Sequence, residues 1–264
     1  MKKILIAIAL IFVFDSLTAQ APNLDSVKQE LYKINKLFDS SSYLGFDVHI
    51  KYSSDTAYGN FDFEEMTGKY ILNQKNIWYR MGEIEYVQND SFAYDIYHDE
   101  KLLVMTRDSI SSKSGLFPLK EFVDSILTWY ASVYTITLRN EDDSRVIEFT
   151  TNDTLAPYRR FAIYYEATSH YPDKFEMYYI EGNGNANSTN DLEPSRKTIT
   201  MTFSNYYHPS TLEIFEDTNY VFYDRERKQY RPSEKYRMYK FMDNGVNGGD
   251  DDTVELYPPP DDNQ

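Results

Sequence analysis

Cysteine is absent from this chain of 264 residues. No disulfide can staple it, no thiol can serve as nucleophile or metal ligand, and no lipid-modified cysteine can tether it. Histidine is almost absent: His49, His98, His170 and His208 are all there are. None pairs with another at the spacing of a His-Glu-x-x-His or Cys/His site, so neither a metal nor a cofactor is expected. The chain has no Gly-x-Ser-x-Gly elbow, no phosphate loop and no dinucleotide fingerprint. No catalytic residue is assigned, and a non-enzymatic role is expected. Positive charge is scarce, with 27 Lys and Arg against 42 Asp and Glu, a net charge of -15. Such a surface repels phosphate backbones and anionic headgroups, so nucleic acid is not expected as a partner. Apolar runs of spanning length are missing, since a membrane helix needs about 20 such residues. No stable membrane anchor is expected.

The chain does have an export signal at its start. Lys2 and Lys3 precede an apolar run from Ile4 to Phe14, and Ser16-Leu17-Thr18-Ala19 follows with small residues. That is the layout of a secretory signal peptide covering residues 1–19. The mature protein is then exported, with the periplasm as the default compartment and the extracellular space as the alternative. At the other end, residues 243–264 hold Asp250-Asp251-Asp252, Pro258-Pro259-Pro260 and Asp261-Asp262 without Lys or Arg. This acidic, Pro-rich tail is expected to be disordered. Residues 20–242 are left as a single domain.

Within that domain, Leu24, Val27, Leu31, Ile34, Leu37 and Phe38 recur at spacings of three and four and predict an amphipathic helix. A second helix is predicted from Leu119 to about Ala131, on Leu119, Phe122, Val123, Ile126, Leu127 and Tyr130 behind Pro118. Strand patterns fill the rest. Phe46, Val48, Ile50 and Tyr52 alternate with polar residues, and short strands joined by tight turns run on to Thr106. Further strands are predicted at 134–138, 146–150, 160–165, 175–180 and 198–207. Val221-Phe222-Tyr223 and the stretch from Tyr236 to Met242 are expected to be a last pair. The 25 Tyr and 16 Phe suit half-buried strands, with rings on apolar neighbours and hydroxyls in water.

One motif exceeds chance. Beyond the signal peptide, Asp followed by Ser or Thr and an aliphatic residue occurs six times, placing Ser26, Thr56, Ser109, Ser125, Thr154 and Thr253 in that context. Composition alone gives roughly one. The pattern is similar to the O-glycosylation acceptor motif of some Gram-negative bacteria. Turn chemistry at Asp-Ser and Asp-Thr explains it equally well.

Phe46 to Thr106 carries a family resemblance. Gly68-Lys69-Tyr70-Ile71-Leu72 looks like a strand entered through glycine. Asn76-Ile77-Trp78-Tyr79-Arg80 looks like the strand after the next turn, and Ile96 to Leu103 like a turn built on Asp-Gly-Lys. With the order helix, meander, helix, meander, the chain resembles the LolA-like superfamily of lipoprotein carriers and lipid-binding relatives. It departs from the carriers at Gln74-Lys75, where they place Arg-Pro, and at Glu100, where they place glycine. The resemblance implies a mainly antiparallel α+β fold. It would be a strongly curved incomplete β-barrel of about 10–12 strands, with two amphipathic helices over its concave face.

Three functions follow from this reading. The first is a non-catalytic binding protein for a lipid or the acyl chains of a lipoprotein. Phe46, Val48, Ile50, Tyr70, Trp78 and Ile96 would line the cavity, and Leu31, Ile34, Phe122 and Ile126 would form the helical lid. The second is an exported protein-interaction module with no small-molecule ligand. The third is a glycan-active hydrolase built on a carboxylate pair, for which no pair stands out among so many acids. The oligomeric state is not encoded in any pattern of the chain.

Overall fold

A computed structural model describes residues 24–38, 41–55, 61–73, 75–107, 127, 130–141, 143–153, 156, 158–181 and 195–244. The first described element is helix α1, Leu24–Phe38. Val27, Ile34 and Phe38 of its apolar stripe are buried, and so are the polar Glu30 and Asn35. Fourteen strands follow among the described residues. The first six are β1 (Leu44–Asp55), β2 (Phe61–Leu72), β3 (Ile77–Met81), β4 (Ile84–Gln88), β5 (Phe92–Tyr97) and β6 (Leu102–Arg107). The next five are β7 (Thr135–Glu141), β8 (Ser144–Thr150), β9 (Arg160–Glu166), β10 (Pro172–Glu181) and β11 (Ser195–Tyr207). The last three are short: β12 (Val221–Asp224), β13 (Gln229–Pro232) and β14 (Lys240–Asp243).

Twelve of these strands form one sheet in the order β14-β6-β5-β4-β3-β2-β1-β11-β10-β9-β8-β7. It consists of two antiparallel meanders, β1 to β6 and β7 to β11, joined where the long central strands β1 and β11 pair. Only β14 runs parallel to its neighbour, β6. Mainly antiparallel β with about twelve strands is the fold expected. The strong, barrel-like curvature that was also expected is not found: the sheet is open and not strongly curled, and its end strands β14 and β7 do not meet. The reason is topological. The chain's last strand adds to the free edge of β6 instead of bridging the two edges.

Turn chemistry sets the register of the first meander. Gly82, at φ 56°, occupies the two-residue turn between β3 and β4, where left-handed backbone suits glycine. At the next long turn Lys101 takes the positive φ, so the chain accepts a side chain where glycine costs less. Asn73 and Asn89 each accept two backbone N–H groups on Oδ1, closing the turns after β2 and β4. Gly68 is needed for space. A Cβ there would lie 2.8 Å from the carbonyl oxygen of Arg80 on the paired strand.

Two expectations change. Val221-Phe222-Tyr223 pairs with Gln229–Pro232, not with the strand after Tyr236, and β12 and β13 form a separate hairpin. The run Gln229-Tyr230-Arg231-Pro232 hides its strand character because proline and charge suit only an exposed edge. Of the second predicted helix, Leu127 and residues 130–133 are described and helical. Its remaining positions lie outside the described residues, as do residues 1–23, 182–194 and 245–264. Among the described residues, no helix is long and apolar enough to cross a membrane.

Candidate functional site

Strand alternation divides the sheet into two faces, each with its own core. On the first, α1 lies over Phe46, Val48, Tyr70, Phe203 and Phe149, which are all buried. Phe38 of α1 meets Phe46 edge-on at 5.9 Å between ring centres. Leu31 and Ile34 pack into the same cluster, and so does Leu127. Apolar packing is directionless, so it does not by itself fix where the helix sits. A buried carboxylate does. Glu30 takes a hydrogen bond of 2.8 Å from Lys33 Nζ, and Arg145 lies 3.1 Å from the same oxygen. Tyr165 Oη donates to its other oxygen at 2.9 Å, and His170 Nε2 lies 3.3 Å away. Burial opposes the charge. Hydrogen bonds from Lys33, Tyr165 and Arg145 overcome that cost and hold the Glu30 carboxyl at about 2.

From under the helix a row of rings runs outward, one per strand. Phe46 stacks on Tyr70 at 5.4 Å, Tyr70 on Tyr79 at 5.2 Å, and Tyr79 on Tyr86 at 5.2 Å. These residues are direct cross-strand partners, which is why the rings align. Phe46 and Tyr70 are buried, and Tyr79 and Tyr86 are half-buried. Burial pushes the Tyr70 and Tyr86 phenols up to about 12 and raises Tyr79 as well. The row ends at Asp95, opposite Tyr86, whose carboxyl burial raises above the usual range. An apolar strip thus passes from a closed core to a partly open end carrying hydroxyls and a carboxyl.

The six residues expected to line one cavity divide between the faces. Phe46, Val48, Ile50 and Tyr70 are on the helix side. Trp78 and Ile96 are on the opposite face, because Trp78 pairs with Ile71 and Ile96 with Glu85 and Leu103. Of the lid residues, Ile34 is buried and Leu31 half-buried in the helix-side core. Phe122 and Ile126 lie outside the described residues. So do Thr56, Ser109, Ser125, Thr154 and Thr253, while Ser26 is exposed on α1. Tyr79, Tyr86 and Phe203 escaped sequence reasoning. The signal for the two tyrosines was the parity set by the pair Leu72–Ile77 and the two-residue turn at Gly82.

The second core lies behind the first meander. Val87, Tyr94, Ile96, Leu103 and Met105 are covered by Phe215, Tyr220, Val221, Tyr236 and Phe241 from the C-terminal segment. Tyr94 stacks on Tyr220 at 4.8 Å and donates to Asp217 at 2.9 Å. His98 bridges Tyr239 Oη and Glu85, each at 2.9 Å, and Glu85 also accepts the Trp78 indole N–H at 3.0 Å. The same face of the second meander carries charge instead. Arg160 meets Glu148 at 2.5 Å and Glu176 at 3.0 Å, and Lys174 lies 3.8 Å from the ring centre of Tyr164.

Open clefts lined by described residues indent the surface. One of about 490 Å³ is lined by Asn76, Asn89, Asp90, Phe215 and Asp217. Another, of about 550 Å³, is lined by Val133, Thr150, Thr151, Arg159 and Tyr178. Neither contains a residue expected to hold a ligand. Among the described residues, no group of three or more His, Asp or Glu stands together as a metal site.

No family model matches the chain, and no curated protein does. Solved structures are similar to it at low identity. A LolA superfamily protein from Nitrosomonas europaea shares 12% identity over 72% of this chain and 96% of its own, with a TM-score of 0.27. A putative outer membrane lipoprotein-sorting protein domain from Vibrio parahaemolyticus shares 12% over 72% and 95%, at 0.30. MucB in the Pseudomonas aeruginosa MucA/MucB complex shares 14% over 72% and 60%, at 0.37. The solved structures similar to this chain thus include a LolA superfamily protein, and similarity at this level assigns the chain no activity.

Proposed function

We propose that this protein is a non-catalytic, exported binding protein that takes up an apolar chain, from a lipid or from the acyl groups of a lipoprotein, on the helix-covered face. The aromatic row from Phe46 to Tyr86 carries this reading. It continues the buried core into half-buried rings, and a hydrocarbon chain laid along it gains apolar contact over its length. The phenols of Tyr79 and Tyr86, with Asp95, would meet the polar end. The inner part of the row is filled by Phe38 and Phe203, so deep entry requires α1 to lift against the Glu30 clamp.

The test is native mass spectrometry of the exported protein, then organic extraction and titration with an apolar fluorescent probe. A stoichiometric lipid, or probe uptake that Tyr79→Ser weakens at least about fivefold, supports the reading. An apo mass together with exclusion of the probe overturns it. The close ring packing beneath α1 favours a second reading, a protein-interaction module, which that second result would leave standing.

A further inference from the structure

One described element is locally basic in an acidic chain. The β12–β13 hairpin, residues 221–232, holds Arg225, Arg227, Lys228 and Arg231 against Asp224 and Glu226 in a chain of net charge -15. Its base is fixed. Val221 is buried in the second core, and Tyr230 packs edge-on against Phe92 at 5.3 Å. Arg107 also lies over the Tyr230 ring at 4.8 Å. Further along, the ribbon is half open. Phe222 and Tyr223 are mid-strand neighbours that point to opposite sides of the ribbon and are 49% and 50% exposed, although Tyr223 packs edge-on against its cross-strand partner Tyr230 at 5.2 Å. Both sides of the ribbon therefore reach solvent.

Charge at the tip is turned outward. Asp224 accepts the backbone N–H groups of Glu226 and Arg227 and lies about 4 Å from the Arg227 and Arg231 side chains (4.0 and 3.8 Å). Arg225 and Lys228 are exposed and make no ion pair among the described residues. Two exposed rings on opposite sides of the ribbon, just behind a turn that carries Arg225, Arg227 and Lys228, suit a medium that surrounds the ribbon better than a partner that touches one side. A lipid headgroup layer is such a medium. Aromatic rings settle at its depth, and anionic headgroups attract Arg and Lys. The acidic remainder of the protein does not prevent this, because charges beyond about 8 Å are screened at physiological salt.

We infer that the β12–β13 hairpin docks the protein on an anionic lipid surface. This goes beyond the apolar-ligand reading and does not depend on it, since the hairpin belongs to the core on the opposite face.

The experiment is co-sedimentation of the exported protein, residues 20–264, with vesicles of phosphatidylglycerol and phosphatidylcholine in equal parts, and with vesicles of phosphatidylcholine alone. Binding is expected to the mixed vesicles only, and to weaken as salt rises. Arg225→Glu with Lys228→Glu should weaken it at least about tenfold, since each cation at such a surface contributes about fivefold. Phe222→Ser should weaken it several-fold with the salt dependence retained. Both variants alter exposed side chains, and circular dichroism checks their folding. The inference is overturned if the exported protein ignores anionic vesicles at low salt, or if the variants bind as the parent does. Binding that requires deletion of residues 245–264 also overturns it, because the hairpin would then belong to the chain's own acidic tail.

Discussion

On the helix-covered face, Phe46 meets Phe38, a ring from the element just before it in the chain. On the opposite face, Tyr94 stacks on Tyr220, which arrives after eleven strands have been laid down. The first core draws on both meanders, since Phe46, Phe149 and Phe203 share one cluster. The second draws on the first meander alone and is closed by the C-terminal segment. A core that spans both meanders holds the sheet together. A core closed by one late segment can open while the sheet survives, as a separate cooperative unit.

The polar anchors differ in the same way. Glu30 pins the helix with charge, through Lys33 and Arg145. The C-terminal cover is held largely by hydrogen bonds, from Tyr94 and Asn89 to Asp217 and between His98 and Tyr239. The helix should therefore respond to acid through one carboxylate.

The largest effect is expected at Phe46. Phe46→Ala should cost about 4 kcal/mol in urea unfolding, because it opens the cluster shared by both meanders. Leu103→Ala, at a fully buried site of the second core, should cost about 3 kcal/mol. The two variants should differ in kind. Hydrogen exchange should rise at residues 213–243 for Leu103→Ala with helix-face protection kept, and rise on both sides for Phe46→Ala. Equal loss on both faces in the two variants would merge the cores into one unit.

Glu30→Gln should cost about 2 kcal/mol, since Arg145 and Lys33 lose their partner charge. Its sign with pH follows from the lowered carboxyl. A group held down to about 2 from an ordinary 4.5 contributes in full above 4.5 and is lost as pH falls toward 2. The parent should lose stability across that window, and Glu30→Gln should lose less. The smallest effect is expected at Arg160 on the charged outer face. Arg160→Ala should cost under about 1 kcal/mol, reduced further by salt, because its partners remain in reach of water.

The elements were largely legible and their partners less so. Helix α1, β1 and the short strands to β6 stand where periodicity and turn residues put them. The acceptance of Phe46, Val48, Ile50 and Tyr70 on one face follows from alternation within β1 and pairing across one hairpin. Trp78 and Ile96 went to the other face because parity must be carried through every intervening turn, and a single residue reverses it. The β13 strand was invisible because Pro232 and Arg231 read as loop, and only pairing with Val221 and Phe222 makes them strand.

By itself, the amino-acid sequence determined the class of structure: antiparallel β, an amphipathic helix, an acidic chain without thiols. Each of these depends on local periodicity, turn chemistry or composition, which act over a few residues. Only the tertiary structure decided that the sheet stays open, that its two faces carry separate cores, that Glu30 finds Arg145 and Tyr165, and that β12 and β13 pair as a separate basic hairpin. Those features join residues far apart in the chain. The free energy that selects them is burial and desolvation, which exist only once the distant segments have met.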